Sequence, residues 1–315
     1  MSDSAVSLRR KISSAGELQS VVRTMKALAA SSIGQYERSV LALADYSRTV
    51  ELGLGVCFRE RKPAAAAVEQ RRDSESVTIG VVVFGSDQGL VGQFNEIVAE
   101  YARQKLAALP GKHRVWAVGE RVHDRLADAG VPPVGLFDVP SSVEAITPLV
   151  GKILVATESH AHGEEAAEVH LIYNRPTPRG GEATGGPYSP FDQRLLPLDE
   201  QWLNNLAATH WPAKNLPEVM GDGATTLRGF IREYLFVSLF RACAESLASE
   251  NASRLAAMQR ADKNIDDLLE GFKGTFHRVR QAGIDEELFD VIAGFEALSS
   301  EYAVRHGTGV RKEYT

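Results

Sequence analysis

Apolar residues recur along the start of the chain with the spacing of a coiled-coil helix. Stepping alternately by four and three residues gives fourteen positions, of which eleven are apolar: Leu8, Ile12, Ala15, Gln19, Val22, Lys26, Ala29, Ile33, Tyr36, Val40, Leu43, Ser47, Val50 and Leu54. A period of about 3.5 residues, held over about seven heptads without a proline, is typical of a helix that supercoils against a partner helix. The pattern therefore predicts one long N-terminal helix with a continuous apolar stripe.

The C-terminal part of the chain repeats this pattern, which suggests that the two ends pair with each other. From Leu255 the same steps meet Met258, Asp262, Ile265, Leu269, Phe272, Phe276 and Val279, and after a phase shift near Gly283 the pattern resumes at Leu288, Val291, Phe295 and Leu298. We predict an α/β protein in which helices at 1–58 and 222–305 form a long antiparallel coiled coil. A central Rossmann-like α/β domain at 77–220 would lie between them, and Thr225 or Thr226 would cap the second helix.

The middle of the chain alternates short β-branched runs with helical patterns. The runs are Val77–Phe84 followed by helix Phe94–Leu109, Val115–Val118 followed by helix Glu120–Ala129, a helix at Val143–Glu158 and a strand at Val169–Tyr173. This alternation predicts a sheet covered by helices, about half of it parallel. Arg175–Phe191 is rich in proline and glycine and is expected to be a loop, Arg194–Leu198 a short edge strand, and Asp199–Val219 a turn-rich segment.

Composition and charge exclude several classes of protein. The hydrophobic share of 44% and charged share of 24% are those of a globular chain, and the net charge of -6 argues against nucleic-acid binding. Cys57 and Cys243 are isolated from each other, which predicts neither a disulfide framework nor a zinc site. Without an apolar run of about 18 residues, the chain is not expected to cross a membrane itself. Basic residues at the start of the first helix indicate either a solvated face or a collar that meets acidic partner loops.

The segment Gly85-Ser-Asp-Gln-Gly-Leu-Val-Gly-Gln-Phe-Asn95 lies between a predicted strand and a predicted helix, where α/β proteins often bind phosphate. Its glycine spacing matches neither a dinucleotide-binding motif nor a P-loop, so a tight structural turn that contacts a partner is favoured over a small-molecule site. Asp87 has no second carboxylate or lysine near it in sequence to make it a nucleophile or metal ligand.

Other candidates for chemistry are weak. His160, His162 and His170 lie among glutamates, but the first two are two residues apart and would face different sides of a helix, which favours an exposed polar helix end over a metal site. We expect no catalytic residue, no cofactor and no metal. Small residues are more informative, because they form one collar at 27–34 and another at 242–253. Such collars indicate either tight helix packing or, in addition, a smooth surface on which other subunits turn.

Several of these segments resemble one known family, the gamma subunit or central stalk of F-type ATP synthases. The N-terminal match is Leu8-Arg-Arg-Lys-Ile-Ser-Ser followed by Thr24-Met-Lys-Ala-Leu-Ala-Ala-Ser-Ser32, and Ser86–Asn95 is similar to the central motif. The most extensive matches are Glu245–Met258 and Arg278–Leu288. The resemblance covers both helices in order and the core of the middle, and it implies a non-catalytic rotor that couples ion flow to conformational change in the catalytic beta subunits.

The resemblance also implies partners and contact residues. The coiled coil would lie within a ring of three alpha and three beta subunits, and the central domain would contact the epsilon subunit and the c-subunit ring, at the cytoplasmic face of the cell membrane. The membrane would be reached only through the complex. By similarity, the partner-binding residues are Met25, Lys26, Asp87, Gln88, Arg280, Gln281 and Glu287.

This chain departs from the family pattern at several of these positions. Lys26 stands where a glutamate is usual, Gln88 and Val91 replace an arginine and a cysteine, and Asp285 replaces a threonine. These departures resemble the divergent gamma subunit of the alternate F-type ATPase, which translocates sodium in some cases. The coupling ion is set in the c ring and not in this chain.

Two other classes of protein compete with the rotor hypothesis. A small-molecule-binding α/β protein whose helices only dimerise would bind a nucleotide or metabolite near Asp87. An architectural adaptor on a membrane complex would carry the same helices without any asymmetric grip on a partner.

Overall fold

The computed structural model describes residues 2–60, 78–158, 166–177, 186–215, 217–218 and 222–306. Two very long helices begin and end this range, and strands and shorter helices lie between them. The helices are α1 (Ser2–Glu60), α2 (Phe94–Ala108), α3 (Glu120–Asp128), α4 (Ile146–Glu158), α5 (Glu200–Ala208) and α6 (Gly223–His306), and the strands are β1 (Thr78–Phe84), β2 (Lys112–Val118), β3 (Gly135–Phe137), β4 (Ala166–Pro176) and β5 (Tyr188–Leu196).

The chain divides into two compact units, and each contains parts of both long helices. The first consists of Met1–Thr24 and Gln259–Thr315, and the second of Met25–Met258. In the first unit, Arg23 Nε lies 3.2 Å from Asp262 Oδ1, and the Lys11 ammonium lies 6.0 Å from the centre of the Phe272 ring. Residue numbers fall along α1 as they rise along α6, so the helices are antiparallel there.

The second unit shows the same antiparallel order of α1 and α6. Arg241 Nη2 lies 3.5 Å from Ser47 Oγ, and a Cβ atom added at Gly53 would lie 2.4 Å from the Phe230 ring. A glycine is therefore needed where that ring crosses α1. The predicted fold class, a long antiparallel pair of terminal helices plus a central α/β domain, is confirmed.

The predicted stripe on α1 is confirmed position by position. All fourteen residues of the 3.5-residue pattern are buried or half-buried, from Leu8 to Leu54. On α6 the stripe is covered from Leu255 to Val279. Beyond Gly283 it is exposed, with 57% of Leu288, 68% of Val291, 72% of Phe295 and 68% of Leu298 accessible.

The exposure of this last segment follows from the register within the first unit. Paired residues of α1 and α6, such as Lys11 with Phe272, have numbers that sum to a nearly constant value. The described part of α1, which begins at Ser2, therefore corresponds to α6 only as far as about Gly283. At about 1.5 Å per residue, the part of α6 beyond Gly283 is about 35 Å long. The second helix therefore extends beyond the described residues of the first, as the greater length of the C-terminal pattern predicts.

A five-stranded sheet forms the centre of the second unit, in the order β3-β2-β1-β4-β5. The pairs β1–β2, β1–β4 and β2–β3 are parallel, and β5 joins β4 as an antiparallel edge strand. All seven residues of β1 are buried, as expected for a central strand with both faces covered. The sheet is more parallel than predicted, since only its last pair is antiparallel.

The two faces of β1 contribute to different cores because side chains alternate along a strand. Ile79, Val81 and Val83 pack with α2 and α3. Val82 and Phe84 pack with α4, with Tyr36 of α1 and with α6. The α6 residues in this second core include Ala242, Ala244 and Ala248, which shows that the small-residue collar of α6 serves close helix packing.

Several local expectations were wrong. Tyr188–Phe191 begins strand β5 and is not part of a loop, because its residues pair with β4 from Tyr173 to Pro176. Asp199–Val219 contains helix α5, and β3 was not predicted at all. Asp222 caps α6 in place of Thr225 or Thr226, because its carboxylate accepts from the backbone N–H groups of Ala224 and Thr225 at 3.1 and 3.2 Å.

Candidate partner-binding site

The loop between β1 and α2 is held in one conformation by Asp87. One carboxylate oxygen accepts the backbone N–H of Glu120 at the start of α3, and the other accepts the N–H of Val139, each at 2.9 Å. A negative side chain at a helix N-terminus satisfies a backbone donor and interacts favourably with the helix dipole. Asp87 therefore joins the loop to α3 and to the segment after β3, which confirms the tight structural turn.

Ser86 and Asn95 close the same loop from inside. The Ser86 backbone N–H donates to Asn95 Oδ1 at 3.0 Å, and the Asn95 amide donates to Ser86 Oγ at 2.8 Å. Both residues are buried. The Ser253 hydroxyl on α6 also donates to the Val91 carbonyl. These bonds fix the loop against the helix, so the exposed Gln88 is presented from a rigid support.

A groove of about 250 Å³ opens beside this loop, with walls from α1, from residues 139–141 and from α6. Its floor includes Glu250, of which 6% is exposed. One Glu250 oxygen accepts a hydrogen bond from Arg254, one turn further along α6. Burial raises the pKa of Glu250, and the nearby Arg254 guanidinium opposes that shift.

The structure places Met25 and Lys26 on α1 in the second unit, both half-buried. Lys26 occupies a position of the apolar stripe, which accounts for its partial burial. Asp87 and Gln88 lie in the same unit, in the loop beside the groove.

Arg280, Gln281 and Glu287 lie on α6 in the first unit, and all three are exposed. The Gln281 amide donates to Asp285 Oδ1 at 3.1 Å, one turn along the helix. The three side chains are therefore available to another chain.

His170, expected among exposed polar residues, is buried on strand β4. One ring nitrogen lies 3.0 Å from Asp192 Oδ1 and the other 3.1 Å from Glu168 Oε2, and these bonds raise its pKa despite its burial. His160 and His162 lie outside the described residues. Within the described ranges, no group of three or more His, Cys, Asp or Glu side chains has an arrangement that could hold a metal ion.

Sequence reasoning missed Glu250 and Arg254 as site residues. The signal available was a Glu and an Arg four residues apart, the spacing of a helical ion pair, at the C-terminal end of the small-residue collar of α6. Nothing in the sequence shows that the loop at 86–88 and residues 139–141 close over this pair.

The chain is similar over most of its length to proteins named ATP synthase gamma chain. One from Moorella thermoacetica is 27% identical, with 92% of this chain and 98% of the relative covered, and one from Granulibacter bethesdensis is 26% identical with the same coverage. Among solved structures, a chain of the Euglena gracilis mitochondrial ATP synthase OSCP/F1/c-ring structure matches with a TM-score of 0.60 at 16% identity, covering 100% of both chains. One from the central stalk and c ring of the Tetrahymena thermophila enzyme has a TM-score of 0.53 at 20% identity, covering 76% of this chain and 99% of that one. At these identities the structures show the fold alone.

A family model described as ATP synthase matches residues 4–298. The chain belongs to the ATP synthase gamma-chain family. As a gamma chain it is a non-catalytic stalk subunit of an F-type ATP synthase complex, and its function is the rotary coupling of that complex. None of the helices in the described part of this gamma chain is long and apolar enough to cross a membrane.

Proposed function

We propose that this gamma chain turns within a ring of three alpha and three beta subunits and imposes a different conformation on each catalytic site in turn. Its central domain contacts the epsilon subunit and the c-subunit ring, at the cytoplasmic face of the cell membrane. A rotor can act in this way because charged and polar groups on one side of it favour one conformation of a partner over another.

The observation that carries this proposal is the pairing of α1 and α6 within one chain. A helix pair closed inside the chain leaves its outer faces free for other subunits, whereas helices that dimerise would need an unpaired stripe. The stripe of α1 is covered along its whole described length, and that of α6 is covered from Leu255 to Val279, so its exposed part is confined to the segment beyond Gly283. This pairing favours the rotor over the small-molecule-binding protein whose helices dimerise.

The contact residues proposed on α6 are Arg280 and Gln281, with Glu287 one to two turns beyond. Their exposure supports this assignment, because each has polar groups that can reach a partner. Met25 and Lys26 are proposed to contact a beta subunit from α1, and Asp87 and Gln88 are proposed to support a contact at the loop. The departures at Lys26, Gln88 and Asp285 support a place in the divergent branch of the family.

The proposal is tested by the double variant Arg280→Glu with Gln281→Ala in the assembled complex. Two exposed polar contacts are together worth about 1–3 kcal/mol, so we expect torque-coupled ATP hydrolysis to fall about fivefold or more. Hydrolysis rate and hydrolysis-driven ion pumping are measured on complexes of verified mass.

A matched control comes from the same helix. Gln259 and Arg260 are the same residue types, are exposed, and lie on α6 about six turns earlier. The variant Gln259→Ala with Arg260→Glu is expected to retain normal hydrolysis and pumping. Equal effects of the two double variants, or none from either, would refute the assignment of Arg280 and Gln281.

A further inference from the structure

The groove beside the β1–α2 loop contains a buried carboxylate with one unused oxygen. Glu250 Oε1 accepts a hydrogen bond from Arg254, whereas Glu250 Oε2 is buried and has no hydrogen-bond partner among the described residues. Buried carboxylate oxygens nearly always accept a hydrogen bond, so an orphaned one indicates a missing donor. Glu250 itself is more than nine-tenths buried and lines the groove.

The charges around the groove favour a cationic donor. Of the eleven residues that line it, Asp87 and Glu250 are acidic and Arg254 is basic, which gives two carboxyl groups for one guanidinium. Both oxygens of Asp87 already accept backbone N–H groups, so Asp87 does not donate a hydrogen bond to Glu250. A further cation would therefore satisfy the unused oxygen and neutralise the local charge.

The size of the groove favours a side chain over a free metabolite. At about 250 Å³ it is smaller than the roughly 300 Å³ at which pockets for small molecules begin. Gln88 and Ser141 on its rim are exposed, so a chain passing over the rim could extend one side chain inward.

We propose that this groove receives a lysine or arginine side chain from another subunit of the ATP synthase complex, which donates a hydrogen bond to Glu250 Oε2. This inference rests on the proposed function, because it requires assembly with other subunits. We call this groove around Glu250 the socket; it would be a second contact with another subunit, in addition to the contacts at Arg280 and Gln281.

Photo-crosslinking in the assembled complex tests the proposal. A benzophenone amino acid replaces Ser141 on the rim, the complex is irradiated, and the crosslinked peptides are identified by mass spectrometry. We expect a crosslink to another subunit within a few residues of a lysine or arginine. If crosslinks form only within this chain, the groove is filled by solvent and the proposal is overturned. A crosslink to a segment of another subunit that has no lysine or arginine would also overturn it.

A second variant tests the role of the carboxylate. Glu250→Gln keeps the shape of the side chain but removes its charge, and should lower the crosslink yield severalfold. Glu245→Gln is the matched control, because Glu245 is a partly buried carboxylate on the same helix that accepts from the Tyr173 hydroxyl and does not line this groove. An unchanged yield with Glu250→Gln would also overturn the proposal.

The outcomes separate the two levels of inference. If no complex with alpha and beta subunits forms, the proposed function fails and the socket fails with it. If the unsubstituted complex forms and only the crosslink is absent, the socket alone is wrong. Should Glu250→Gln prevent assembly, the crosslink map obtained with Glu250 in place still decides the question.

Discussion

Replacing Gly119 by alanine should destabilise the central domain and displace the loop that carries Asp87 and Gln88. Gly119 lies between β2 and α3 with φ 115° and ψ 132°, a region that residues with a Cβ atom almost never occupy. A Cβ atom there would lie 2.8 Å from three backbone atoms of Ser86. Backbone atoms cannot rotate away, so the β1–α2 loop would have to move.

The magnitude of this effect has two parts. Holding a residue with a side chain in such a conformation costs about 1–3 kcal/mol, and forcing an extra atom into a packed site costs about 1–3 kcal/mol more. The free energy of unfolding should therefore fall by about 2–6 kcal/mol. For a domain of this size, each kcal/mol lowers the melting temperature by about 2–4 °C.

The variant Gly130→Ala separates the cost of the backbone conformation from the cost of the steric contact. Gly130 also has a positive φ, 79°, but a Cβ atom there would meet nothing within 4 Å. Both variants are compared by calorimetry and by urea unfolding followed through tryptophan fluorescence, since Trp116 is buried on β2 near Gly119. We expect Gly119→Ala to lose at least about 1 kcal/mol more than Gly130→Ala. Equal losses would refute the argument from the contact with Ser86.

Two further predictions concern stability. The hydrogen bond between His170 and Asp192 raises the pKa of His170 above its ordinary value of 6.5. The stability that protonated His170 contributes to the folded state is therefore complete below pH 6.5 and is lost as the pH rises through the folded-state pKa. Urea unfolding should show stability falling by at most about 1.4 kcal/mol per pH unit across that window, and a slope that persists in His170→Asn would contradict this origin. Leu54→Ala should cost about 2–5 kcal/mol because Leu54 is fully buried, whereas Leu41→Ala on the same helix should change stability by less than about 0.5 kcal/mol because Leu41 is 72% exposed. Similar losses at the two leucines would show that α1 is not packed as described.

The long helices and the central strands could be predicted because their patterns are long. Fourteen positions of one period determine which face of α1 is buried, and even polar Gln19 and Ser47 follow it. The three residues of β3 are too few to show alternation, and α5 has only nine residues. Trp202 and Leu206 of α5 pack against residues of α1 and α6 that are distant in sequence, so their burial could not be predicted from α5 alone.

The candidate site was less predictable because its residues, like those of β3 and α5, depend on contacts with segments that are distant in sequence. Asp87 could be recognised as part of a turn, but its backbone partners at Glu120 and Val139 come from distant segments. Glu250 resembles an ordinary surface member of a helical ion pair in sequence. Its burial depends on the β1–α2 loop and on residues 139–141, whose approach to α6 is set by the sheet.

The polar layer at Gln19, Arg23 and Asp262 bears on how the helix pair responds to mechanical load. Apolar stripes alone would allow the two helices to slip by a heptad, about 10 Å, with little change in the surface they bury. Such a slip toward the N terminus would bring Ile12 and Gly16 to Asp262 in place of Gln19 and Arg23, whose side chains now donate to its carboxylate. Removing two donors from a buried carboxylate is costly, so pulling or twisting one helix should move the other with it instead of sliding past it.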